Sequence, residues 1–144
     1  MPMPILVPAA VLVLWSVIML IWMVVTRLPA LARLRIPADR SRGGRGSDLD
    51  ALLPRELQWK AHNYNHLMEQ PTLFYAVVLI LAVVGHGIGL NVILAWAHVI
   101  LRIAHSLWQA LVNSIPVRLA LFLLSSAALG WLAVNAVRAT LSLG

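Results

Sequence analysis

Cysteine is absent from the 144 residues, which excludes disulfides, thiolate metal sites and a cysteine nucleophile. Charge is scarce as well: 11% of the residues are Asp, Glu, Lys or Arg, against about 25% in a typical soluble domain. No charged side chain and no histidine occurs from Met1 to Thr26. What fills the chain instead is apolar, 61% of the residues by count. A single water-soluble core of this size cannot hide that much apolar surface. Composition therefore excludes a soluble globular domain and a disordered chain, and an integral membrane protein remains.

A membrane-spanning helix needs about 20 predominantly apolar residues, and the sequence offers four such segments, about 5–26, 66–85, 91–113 and 117–137. The first has no positively charged n-region and is too long for the apolar core of a signal peptide, so it is read as a retained span. Arg27–Lys60 is the one long polar connection, with eight basic residues against four acidic ones, and its Pro and Gly residues mark its middle as a loop. Gly85, Gly87 and Gly89 form a tight second turn, and Asn113–Pro116 a third; proline is well tolerated in the first turn of the helix that follows. These connections predict an all-α, up-down four-helix membrane bundle forming one domain over 1–144. The net charge of +6 reports topology here and does not point to nucleic acid. By the positive-inside rule the first loop, and Arg118 near the third, lie on the cytoplasmic side, with both termini outside.

Few ionisable groups remain once that loop is set aside. Charges within a span are costly, by roughly 2.5–3.5 kcal/mol on insertion scales, and are functional candidates. His98, Arg102, His105, Gln109 and Asn113 are spaced 4, 3, 4 and 4, which places them on one helical face. That stripe is expected to point into the bundle or into a subunit interface. In the second span Pro71–Gly85 is apolar but short, so the helix must draw in residues from the HNYNHLMEQ run before it, Glu69 and His66 included. Counted from the shared turn at about 1.5 Å per residue, Glu69 lies ~24 Å, His105 ~21 Å and Arg102 ~17 Å along their helices. Because an unpaired buried charge is expensive, a Glu69–Arg102 ion pair is expected, with His105 beside it. Such a pair can equally be interhelical glue. His98 reads as a packing histidine and His86 as a solvated loop residue. His62, His66 and Glu69 share a face, yet no HExxH pattern accompanies them and no metal site is expected.

Taken in order, these motifs resemble the MAPEG family, the membrane-associated proteins in eicosanoid and glutathione metabolism. The second helix carries Ala61-His-Asn-Tyr-Asn65-His-Leu-Met-Glu69-Gln-Pro71, similar to that family's asparagine-rich run ending in a glutamate and followed by a proline. The third carries Arg102-x-x-His105, with Arg118 thirteen residues further on, similar to members of the prostaglandin E synthase type. The resemblance covers nearly the whole chain and is to a divergent member of bacterial type. It implies a homotrimer in the cell membrane with active sites between subunits near the cytoplasmic face. It also implies glutathione as cosubstrate with its thiol activated as a thiolate, and a lipophilic small molecule reaching the site from the lipid. By position, Asn65 and Glu69 would hold glutathione, Arg102, His105 and Gln109 would line or brace the site, and Arg118 would stabilise the thiolate.

The chain departs from that pattern at several places, one being the arginines upstream of the glutamate, thinned to Arg55 and Lys60. Gln109 stands where the glutathione-using members have a tyrosine, Phe122 corresponds to a second tyrosine, and Leu119 to a serine. His66 occupies the place of the asparagine three residues before the glutamate. Two readings follow: a glutathione-dependent transferase, peroxidase or isomerase acting on lipophilic substrates, or a non-catalytic lipid- or protein-binding membrane protein of the same fold. A small exporter ranks last, because its carboxylate would be expected in the first span.

Overall fold

The computed structural model describes residues 3–34 and 43–142; Arg35, Asp39, Arg40 and Arg42 of the basic loop lie outside the described residues. Four α-helices follow one another: α1 (Leu6–Arg33), α2 (Arg55–Val83), α3 (Leu90–Leu111) and α4 (Ile115–Leu141). A short 3-10 helix, Gly46–Leu52, precedes α2. All four are long and apolar enough to cross a membrane, and most of their large apolar side chains face outward, as a protein surrounded by lipid requires. The chain is an integral, multi-pass membrane protein. The helices outrun the apolar spans: α1 continues past Pro29 to Arg33, and α2 begins at Arg55, so polar turns project beyond the apolar stretch at the loop end.

Side-chain pairs fix the topology. Asn91 meets Asn135 and His98 meets Ser125, so α3 and α4 run antiparallel. Phe74 stacks on His98 while Asn63 bonds Ser106, so α2 and α3 are antiparallel too. Gln70 bonds Ser126, and His66 stacks on Phe122, making α2 parallel to α4. Central α2 and α3 each pack against every other helix, with α1 and α4 on their flanks.

The buried face of α1 is Pro8, Leu12, Ser16 and Met19, and that of α2 is Asn63, Leu67, Pro71, Phe74, Val78 and Leu81. Steps of three and four draw one stripe down each helix, the pattern that faces a core. The turn between α2 and α3 needs glycine at two points, Gly85 (φ 79°) and Gly89 (φ 59°), where a side chain would be strained. Gly87 is required for another reason. A Cβ there would sit 2.6 Å from the buried Ile5 side chain, and the Ile5 N–H donates to the Gly87 carbonyl at 3.3 Å. The start of α1 is thus seated against the turn by backbone contact.

Candidate functional site

The polar stripe of α3 turns inward as its spacing predicts: His98, Arg102, His105 and Gln109 are all buried. His98 Nδ1 bonds the Ser125 carbonyl at 2.8 Å while its ring stacks on Phe74 at 4.4 Å. It is a packing histidine in a fixed orientation. Asn113 ends the stripe with a positive φ of 55°, a conformation asparagine tolerates. Its Oδ1 accepts a hydrogen bond from Arg118 Nη1 at 2.5 Å. The loop after α3 therefore holds the first arginine of α4 in place.

Arg102 corrects the sequence reading. Glu69 is not its partner: the Glu69 side chain is 70% exposed and its Oε2 lies 3.1 Å from His66 Nδ1. Arg102, only 1% exposed, donates from Nη2 to the His66 carbonyl at 3.0 Å. Its Nε and Nη1 have no partner among the described residues. Counting along helices places two residues at one depth but says nothing about the direction in which each points, and Glu69 is turned to the exposed surface, where it meets His66. The bond that Arg102 does make lies close to a break in the α2 hydrogen-bond ladder. Proline at 71 leaves the Leu67 carbonyl without its intrahelical donor, one residue beyond the carbonyl that Arg102 binds. The guanidinium thereby ties α3 to the backbone of α2 beside that break.

A cleft of about 240 Å³ opens between α2, α3 and α4, lined by His66, His105, Ile115, Arg118, Leu119 and Phe122. The His66 ring stacks on Phe122 (5.6 Å, 19°) and meets His105 edge-on at 5.0 Å. One guanidinium, two imidazoles and an aromatic wall thus converge. Of the residues singled out from sequence, the structure brings His105, Arg118 and His66 together here, the last of which the sequence had given no role in the site. Gln109 and Arg102 do not line the cleft and are buried inside the bundle, Gln109 Oε1 having no partner among the described residues. Asn65 belongs to a different cleft of about 440 Å³, between α1, the 3-10 helix and α2, with Arg27, Arg45, Asp50 and Tyr64.

That second cleft is closed by a network the sequence did not announce. Arg27 Nη2 donates to Asp50 at 2.8 Å and also to the Gly46 carbonyl, while His62 Nε2 lies 3.1 Å from the other Asp50 oxygen. The Gln58 amide donates to the Asp50 and Leu53 carbonyls at 2.6 and 2.7 Å. His62, His66 and Glu69 therefore do not gather into one set; His62 goes to Asp50 and His66 to Glu69. Inside the bundle, Ser106 accepts from both Asn63 (2.8 Å) and the Trp15 indole (3.0 Å), tying α1, α2 and α3. Asn63 could have been found by extending the Leu67–Pro71–Phe74 stripe back by one turn. Nothing in the sequence pointed to Trp15 or Ser106.

The outward face of α2 (His62, Asn65, Glu69, Thr72) is polar and exposed, an unusual surface for a membrane helix unless it is covered by protein.

A model of the MAPEG family matches residues 5–138. The chain belongs to the MAPEG family. No curated protein and no solved structure matches it significantly.

Proposed function

From membership of that family, we propose that the chain binds glutathione and uses its thiol on lipophilic compounds that enter from the bilayer, as a transferase, peroxidase or isomerase. The observation that carries the reading is the convergence of Arg118 with His66 and His105 in one cleft walled by Phe122. Glutathione is anionic, and a cationic, partly desolvated site favours both its binding and the ionised form of its thiol. The donor set fits such a ligand: Arg118 stands at the cleft, and two N–H groups of the buried Arg102 have no partner among the described residues.

The same cleft argues for assembly. Ligand pockets commonly enclose about 300–1,000 Å³, and this one, at about 240 Å³, is small for a tripeptide. Asn65 and the polar outer face of α2 also lie outside it. A homotrimer would cover that face and complete each site between neighbouring subunits. On the positive-inside rule the site faces the cytoplasm, at the end bearing the Arg27–Lys60 loop.

A non-catalytic lipid- or protein-binding role is favoured by one specific feature. Phe122 lines the cleft and Gln109 is buried inside the bundle, so neither place offers the hydroxyl that the glutathione-using members have there. Calorimetry of purified protein with millimolar glutathione, together with ultraviolet thiolate absorbance, decides between the readings. Heat with a thiolate band supports the enzyme; neither signal overturns it.

A further inference from the structure

We propose that His66 is the base that takes the thiol proton in this cleft, and that Glu69 is the residue that positions it. The inference rests on the glutathione reading above and adds an acid–base residue to it. His66 Nδ1 is held by Glu69 Oε2 at 3.1 Å. An ionised carboxylate can only accept, so Nδ1 carries the hydrogen and Nε2 is the basic nitrogen. Nε2 makes no hydrogen bond among the described residues, and the ring lines the cleft that also contains Arg118. The ring cannot swing freely: it is stacked on Phe122 and abuts His105 edge-on, and its own backbone carbonyl is bound by Arg102. A carboxylate that fixes the tautomer, with an imidazole held in place whose far nitrogen is left unbonded, is the arrangement by which a histidine is made an effective base.

The groups facing His66 are Glu69 on its own helix, Arg102 and His105 from α3, and Arg118 from α4. Their roles divide by chemistry. Glu69 stabilises the imidazolium that forms. Arg118, Arg102 and His105 oppose that charge but favour an anion in the cleft. In the step, the S–H bond breaks, its electron pair stays on sulfur, and the proton moves to His66 Nε2. The result is an imidazolium–thiolate pair with Arg118 beside the sulfur, and no other reactant is consumed. This arrangement suits a chain in which Gln109 and Phe122 replace hydroxyl groups: a histidine does what a neutral hydrogen-bond donor would otherwise assist.

The test counts protons as well as thiolate. Full-length protein in lipid nanodiscs is titrated with glutathione near neutral pH, in two buffers of different ionisation enthalpy, and thiolate absorbance is read in parallel. S-methylglutathione, which has no proton to give, serves as the binding control. The wild type is expected to show the thiolate band with almost no proton released, because the proton stays on His66. In His66→Asn the band should fall about tenfold or more, in line with the ordinary contribution of general bases. What remains should release one proton per thiolate, while S-methylglutathione binds within about twofold of wild type. Glu69→Gln should give an intermediate loss, about threefold, with the same control unchanged. An unaltered band and proton count in His66→Asn overturn the assignment and leave the glutathione reading standing. Loss of S-methylglutathione binding in that variant overturns it too, making His66 a ligand-holding residue. If the wild type binds neither compound, the glutathione reading fails and the assignment with it.

Discussion

Toward the end of the bundle closed by the glycine turn, the buried side chains are mostly apolar, Ile5, Leu12, Phe74, Val78, Leu81, Ala95, Leu132 and Ala136 among them, with His98 as the main exception; toward the opposite end buried Asn63, Arg102, His105, Ser106 and Gln109 sit among apolar residues such as Leu67 and Ala110. The same four helices thus supply an apolar half and a polar half, with the boundary near Pro71 and Arg102. In the apolar half Asn91 and Asn135 satisfy each other, and the Tyr75 hydroxyl and His98 Nε2 are the buried polar atoms without a partner among the described residues. In the polar half, buried Asn63, Arg102 and Gln109 atoms have no partner among the described residues, each at a cost of about 1–3 kcal/mol. One half fixes the relative positions of the helices. That allows the other to hold groups that water or lipid would not favour.

If the division is real, the largest effect comes from cutting into the apolar half. Phe74→Ala should destabilise the bundle by about 3 kcal/mol, the low end for such cavities because lipid replaces water as the reference. Denaturant or thermal unfolding in detergent would show it. Ligand affinity per folded molecule should stay within about threefold, and a larger change would mean that the halves are not separable. The converse cut is Arg118→Ala. Losing a charged hydrogen-bond donor at the cleft should cost about 2 kcal/mol of glutathione affinity, roughly 30-fold, with the unfolding midpoint nearly unchanged. Should the midpoint fall instead, Arg118 is chiefly a structural cap for Asn113.

Gly87→Ala sharpens the comparison at its far edge. The added methyl would meet Ile5 at 2.6 Å, and overpacking of this kind costs about 1–3 kcal/mol. Ile5→Val at the same contact should recover part of the loss, and a Gly87→Ala protein as stable as wild type would show that α1 is not seated there.

The two halves differed in how far they could be read from residues alone. The apolar half follows from period and length: Pro71, Phe74, Val78 and Leu81 repeat at steps of three and four, and Gly85 and Gly89 mark the turn. The α3 stripe was equally legible, because His98, Arg102, His105 and Gln109 share a face whatever surrounds them. Pairings in the polar half were not. Depth follows from counting, but the azimuth of one helix against the next depends on how whole faces pack. For that reason Glu69 and Arg102 came out level yet unconnected, and Asn65 was drawn into a cleft with Arg27 and Tyr64. The serines were invisible for another reason. Ser106 and Ser126 are small and weakly polar, and nothing in their spacing shows that they accept bonds from Asn63, Trp15 and Gln70.

The smallest effect tests that failed pairing directly. Had Glu69 and Arg102 formed a buried ion pair, removing either alone would strand the other and cost about 3–5 kcal/mol, and the double change would restore much of it. The structure supports a different cycle. Arg102 bonds a backbone carbonyl, which no Glu69 substitution removes, and Glu69 is largely exposed, where a charge pair contributes about 0–1 kcal/mol. Glu69→Gln, Arg102→Met and the double variant should therefore be additive, with a coupling below about 0.5 kcal/mol. The second cycle, Glu69→Gln with His66→Asn, should show a small favourable coupling of about 0.3–0.5 kcal/mol, as expected for neighbours three apart on a helix. A coupling of several kcal/mol in the first cycle would restore the ion pair and move Glu69 into the bundle. It would also leave His66 without the carboxylate that holds its Nδ1.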